Sequence, residues 1–273
     1  MDQDLQDIAN KIIKYLDQKN VQYSDVRADQ QIKNSALIEN NDIEHIKNNE
    51  SKGVGVRLIK NGTWSFCSIT NPNSFDGIKD ILDNTLKNLD YRKIKNKEIK
   101  LHSNPVNKKE INFPVLKKTD IEELIKIGFE CNKIISGTPK IIKSITHASH
   151  TTNSKYFVNS EGSEILQNFT DIIMEMVATA HESGQTQSVN ITEGGRGGLE
   201  LIANKIQQSA KEISKKASEL IYAKPVKEEK ATVVMNPDFV SLLTHEILGH
   251  PSEADRVLGK EMAWAGGAWW KGK

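Results

Sequence analysis

The chain has 273 residues, with 37 Lys+Arg against 36 Asp+Glu and 37% hydrophobic residues, enough for one large domain or two small ones around a sizeable core. A net charge of +1 argues against a nucleic-acid binder held by bulk electrostatics. A mean hydropathy of −0.52, with no apolar run near the roughly 18–20 residues a bilayer needs, excludes a helical membrane protein. Two cysteines, Cys67 and Cys131, cannot build a disulfide framework, and the acidic, amphipathic start lacks the basic-then-apolar order of a secretory signal, so a cytoplasmic location is expected.

Leu5, Ile8, Ala9, Ile12, Ile13 and Leu16 recur at three- and four-residue spacing and predict a helix. From about 22 to 70, short and partly alternating segments separated by Asn, Gly, Asp and Ser predict an antiparallel meander. Asn61-Gly62 marks a hairpin, because the tightest hairpin turn requires positive φ at both central residues. Residues 74–90 return to helical spacing through Ile78, Ile81, Leu82, Leu86 and Leu89. Residues 91–118, rich in Lys and Asn and holding Pro105 and Pro114, read as a solvated connector; too few aromatics accompany the basic residues for a nucleic-acid patch.

A helix is expected at 119–136, then strands at about 138–150, 153–159 and 164–182, with a turn at Asn159–Gly162. The glycine-rich stretch 190–198 either approaches a ligand's backbone closely or simply turns ahead of a helix at 199–222. It lacks the P-loop Lys-Ser/Thr and a dinucleotide fingerprint. A strand is expected at 231–236. The fold class is α+β: an N-terminal helix plus antiparallel sheet domain over 1–92, a connector at 93–118, and the front part of a second strand-rich domain over 119–273.

The chemistry is concentrated in NPDFVSLLTHEILGHPSEADRVLG, residues 236–259. Asn236 suits an N-cap, Pro237 the first helical position and Asp238 the positive helix end. With the apolar surface of Phe239, Val240, Leu242, Leu243, Ile247 and Leu248, they predict a helix over about 237–249 that carries His245, Glu246 and His250. Two imidazoles with a carboxylate beside the first suggest the zinc-hydrolase arrangement, in which the imidazoles bind the metal and the carboxylate takes a proton from water. The spacing, however, is HExxxH. On a regular helix five residues rotate by about 500°, which leaves the two rings roughly 140° apart. One metal therefore requires the helix to end or widen between them. A π-type turn brings i and i+5 nearly into line, and Gly249 and Pro251 around His250 supply the weakness it needs. Spacing alone leaves a second reading open, in which both histidines are hydrogen-bonded structural residues.

Other ligating residue types are present. Cys67 and Cys131 read as small core residues. Glu253 and Asp255 follow His250 closely enough to reach a metal, but read as supporting or solvated groups. His147, His150 and His181 fall in predicted strands and read as surface or structural residues.

HEILGHPSEADRVLG resembles the signature of the TldD/PmbA metalloprotease family, also called the modulator of DNA gyrase family. Residues 24–68, with GVGVR followed by GTWSF, resemble that family's N-terminal domain, and GGRGG at 194–198 is similar to it too. The likeness spans essentially the whole chain, and it is to the TldD-like members that carry HExxxH rather than to the partner members that lack it. It implies His245 and His250 as Zn2+ ligands, Glu246 as general base, and hydrolysis of small or unfolded polypeptides. It also implies a heterodimer with a paralogous PmbA-like subunit. A substrate entering as an extended strand fits main-chain pairing with a sheet edge.

TldD-like proteins are longer and take a third zinc ligand from a Cys in a C-terminal domain. The chain is therefore expected to be an N-terminal portion or a truncated product, and Trp264, Trp269 and Trp270 near Lys273 read as core or interface residues whose partner segment lies elsewhere. A catalytic zinc normally has three protein ligands. With two, the resemblance leaves a non-catalytic peptide-binding or regulatory subunit as the alternative. The gyrase label raises a further one, contact with DNA-associated proteins, to which the balanced charge lends no direct DNA binding.

Overall fold

Helix α1 (Gln3–Asp17) turns Leu5, Ile8, Ala9, Ile12, Ile13 and Leu16 into one buried stripe, as their spacing requires. A computed structural model describes residues 3–91, 101–102, 104–117, 119–262 and 267–269. Its chain divides into two compact units, residues 1–223 and 224–273.

The first unit is built on a seven-stranded sheet. Strands β1 (Tyr23–Glu39), β2 (Asp42–Lys60) and β3 (Thr63–Thr70) form the expected antiparallel meander, as three long strands rather than many short ones. Asn61 and Gly62 take φ of 51° and 67° in the β2–β3 turn, the positive pair a two-residue hairpin demands. Asn40 and Asn41, at φ 50° and 68°, make the β1–β2 turn in the same way without a glycine. Helix α2 (Phe75–Tyr91) follows, then the short strand β4 (Lys108–Asn112), α3 (Ile121–Ser136), β5 (Ile141–Asn159), β6 (Glu164–Glu182), β7 (Gln185–Arg196) and α4 (Ile206–Leu220). The sheet order is β3-β2-β1-β5-β6-β4, with β7 along the remainder of β6. The pairing of β1 with β5, from Asp25↔Asn159 to Glu39↔Ile145, makes one sheet of the strands before and after the expected connector.

Both helical layers use the same alternation of the strands. Val26, Ala28, Val56, Leu58, Tyr156 and Val158 meet α1 and α2, whose Ile12, Leu16, Ile78 and Leu82 are almost wholly buried. Ala148, Ile172, Met174, Met176 and Ala178 pack with α3 and α4 through Leu124, Cys131, Ile206, Ala210 and Ile213. On the opposite alternation the buried Asp25 carboxylate is held by Arg27 at 2.6 Å and by Arg57 at 2.6 and 2.9 Å. That bond holds the Arg57 guanidinium above its usual range.

Several segments differ from expectation. Residues 138–150 and 153–159 are one continuous strand, β5. Part of the expected connector is β4, which pairs in parallel with β6, Lys108↔Glu164 to Asn112↔Asn168. Its polar sequence hides it because only Ile111 is even half-covered. The 190–198 stretch is largely strand β7. A Cβ on Gly194 would lie 2.0 Å from the Ile172 carbonyl oxygen, so that glycine permits close approach to the neighbouring strand. The expected helix 199–222 opens as a 3-10 turn at Leu199–Leu201 before α4 begins. Residues 231–236 are not a strand: Val233 and Val234 are 71% and 94% exposed, and among the described residues no strand pairs with them. An apolar run without a pairing edge gains nothing from extension into a strand.

Candidate metal centre

The second unit contains helix α5 (Pro237–Thr244), which begins where the local sequence says it should. The Asn236 side chain accepts from the Phe239 backbone N–H at 2.9 Å, and Pro237 occupies the first turn. The Thr244 hydroxyl donates back to the Val240 carbonyl at 2.8 Å, a contact that loosens a helix. The next five residues, His245–Gly249, are a π turn, with the His250 N–H donating to the His245 carbonyl. Pro251, which has no N–H to donate, stands in a 3-10 turn at His250–Ser252. The Ser252 hydroxyl takes up the Leu248 carbonyl. A short helix α6 (Ala254–Val257) follows.

This distortion brings the two histidines together. Their ring centroids are 4.6 Å apart with the planes at 79°, where an unbroken helix would splay them. Ligand atoms of His245, Glu246 and His250 all lie within 4.8 Å of one another, forming the only such cluster among the described residues. His250 Nε2 is 3.8 Å from Glu246 Oε2. Two nitrogens on one tetrahedral zinc stand about 3.3 Å apart, so small ring adjustments suffice, and the donor set of imidazoles with a carboxylate suits zinc. His245 and Glu246 are exposed and His250 is half-buried.

On its other side, His250 Nδ1 lies 2.9 Å from Glu253 Oε1. Glu253 Oε2 accepts from Arg256 Nε, also at 2.9 Å. Hydrogen bonds from Arg256 first, then His250, hold the Glu253 carboxyl below the usual carboxylate range. Asp255 turns its carboxylate to the Arg256 backbone N–H at 2.8 Å. The Glu253–Arg256 link was not anticipated from sequence; its signal is the repeated three-residue step His250, Glu253, Arg256.

The remaining ligating types belong to the first unit. Cys131 is buried on α3, and desolvation pushes its thiol up to about 12. Burial raises the Cys67 thiol on β3 as well. His147 lies 3.3 Å from Glu175, and His181 lies 2.8 Å from Thr186 Oγ1. His150 is half-buried on β5, and its imidazole is pushed below the usual range by desolvation. Trp269 is 61% exposed, whereas Trp264 and Trp270 lie outside the described residues. No described helix is long and apolar enough to cross a membrane.

Residues 24–89 match the family model PmbA/TldA metallopeptidase domain 1, and residues 114–222 match the PmbA/TldA metallopeptidase central domain. Both matches end before His245. Similar proteins include a metalloprotease of Methanocaldococcus jannaschii, 30% identical over 254 residues that cover 86% of this chain and 52% of the relative. A zinc metalloprotease TldD homolog of Saccharolobus solfataricus is 24% identical over 251 residues, 91% of this chain and 54% of the relative. The chain thus spans about half the length of these relatives. Among solved structures, a candidate modulator of DNA gyrase from Bacteroides thetaiotaomicron aligns with a TM-score of 0.73 at 17% identity, covering 93% of this chain and 58% of that one. TldE from Thermococcus kodakarensis aligns with a TM-score of 0.60 at 14% identity, covering 77% and 47%. These likenesses bear out the α+β fold, with its N-terminal helix and antiparallel sheet.

Proposed function

The chain belongs to the PmbA/TldD metallopeptidase family, and on that premise we propose that it is the HExxxH-bearing subunit of a zinc peptidase acting on small or unfolded polypeptides in the cytoplasm. His245 and His250 are the metal ligands and Glu246 the general base. The observation that carries this reading is the π turn at His245–Gly249, which draws the two imidazoles together. Zinc held by the two imidazoles supplies Lewis acidity toward water and the scissile carbonyl. Glu246, one residue from His245 and largely exposed, accepts the proton of the attacking water and returns it to the leaving amine. The likeness to TldE supports a paralogous PmbA-like partner subunit.

The test is a pair of substitutions in the full chain, assayed with that partner. Glu246→Gln should keep zinc and lower peptide hydrolysis by roughly 10²- to 10⁴-fold, while His245→Ala should lose the zinc. Wild-type cleavage by Glu246→Gln refutes the role of Glu246.

One observation favours a second reading, a peptide-binding subunit that does not cleave. Among the described residues the cluster offers two imidazoles and one carboxylate, and a catalytic zinc takes three protein ligands besides its open position. Peptide binding without zinc in the purified protein would select this alternative.

A further inference from the structure

We infer that Glu253 is a positioning residue, which sets the tautomer and ring orientation of His250 so that Nε2 is the nitrogen presented to His245 and Glu246. The inference deepens the proposed metal site and rests on that reading.

A neutral imidazole carries one N–H, and a carboxylate can only accept. With Nδ1 of His250 at 2.9 Å from Glu253 Oε1, the proton resides on Nδ1. The lone pair is then left on Nε2, the nitrogen facing Glu246 at 3.8 Å. Without that acceptor either nitrogen can carry the proton, and in the other tautomer the nitrogen facing the cluster would hold a hydrogen and could ligate nothing.

Glu253 is itself held. Its second oxygen accepts from Arg256 Nε at 2.9 Å, and the Arg256 side chain is only 7% exposed. Swinging the carboxylate away from His250 would cost the buried guanidinium this bond. The backbone supports the same placement. The 3-10 turn that Pro251 enforces after His250 brings the residue three positions on beside the ring, and α6 carries Arg256 to the far side of Glu253. Asp255 turns its carboxylate to the Arg256 backbone N–H instead, and Glu246 lies on the Nε2 side of the ring. The two elements have complementary tasks: the π turn brings the rings near each other, and Glu253 decides which atom of one ring is offered.

The test uses the full chain with 15N-labelled histidine, first free of metal at about pH 8.5, above the ordinary imidazole range. His250 in the wild type should show protonated Nδ1 and bare Nε2. Glu253→Ala should abolish that preference and weaken zinc binding, read by competition with a chromogenic chelator, by roughly 10- to 100-fold. Glu253→Gln keeps an acceptor oxygen and the size of the side chain. It should retain the tautomer and bind zinc within about threefold of wild type, a rescue that a purely structural role of the charge would not give, and it keeps the test informative should Glu253→Ala fail to fold. Unchanged His250 tautomer and zinc affinity in folded Glu253→Ala overturns the inference, as does loss of the tautomer in folded Glu253→Gln. Failure of the underlying reading looks different: wild-type protein with the Nδ1–H tautomer that binds no zinc at all refutes the metal site and, with it, any role of Glu253 in presenting a ligand.

Discussion

Helix α4 places Ile206, Ala210, Ile213 and Ala217 out of water and has no side chain capping its start. Helix α5 is capped by Asn236, begins with Pro237 and carries an acidic first turn, yet none of its residues is buried; Phe239, Leu242 and Leu243 stand 53%, 55% and 37% exposed. The first helix is held by what it packs on, the second by its own termini. A helix of eight residues with no buried side chain is marginal by itself, and a π turn can interrupt it without breaking a packed interface. The distortion that joins His245 to His250 sits where deformation is least expensive.

The contrast can be broken most directly by truncation. Ile213→Ala, at a position 2% exposed, should lower the unfolding free energy by about 2–5 kcal/mol, whereas Leu242→Ala should change it by no more than about 0.5 kcal/mol. Urea titration of the two variants measures both. A large loss for Leu242→Ala would show that α5 is packed after all. Asn236→Ala should weaken α5 by about 1 kcal/mol, seen as faster amide exchange over 238–244 with no change in α4. The smallest effect belongs to the sheet beneath α3 and α4. His150 has its folded pKa below the ordinary 6.5, so the unfolded chain takes up the proton first. Its contribution to stability is fully present above about pH 6.5 and is lost as the pH falls through the lowered folded value. Urea midpoints measured from neutrality downward should decline less for His150→Gln than for the wild type.

The same contrast explains what could be read beforehand. Helices α1, α2 and α3 follow from apolar spacing because their stripes are buried, and the Asn61-Gly62 hairpin follows from backbone φ. The widening at His245–Gly249 could be reasoned out because two ligands five residues apart impose a geometric demand. Strand β4 could not, since its KKEIN sequence gains its place from the partner strand β6 rather than from its own pattern. ATVVMN shows the converse, a strand-like pattern that pairs with nothing among the described residues. The glycine-rich stretch 190–198 reads equally as a ligand-approaching loop or a turn, and it is largely strand, with Gly194 close against a neighbouring carbonyl. Within the candidate site the three residues of the motif were legible; the Glu253–Arg256 support was not, because a single pair of three-residue steps from His250 carries no chemical signature until the chain is folded around it.

The seam between β1 and β5 bears on how the molecule is made. A ribosome releases β1, β2 and β3 early, but the free edge of β1 must wait until the chain has grown to residue 159 before Asn159 meets Asp25. At elongation speeds of about 5–20 residues per second that interval lasts on the order of ten seconds. Throughout it, a seventeen-residue ribbon offers unpaired amides and carbonyls to any passing strand. Slow late synthesis should therefore favour aggregation of nascent chains, and nascent-chain chaperones would be expected to matter most before β5 emerges.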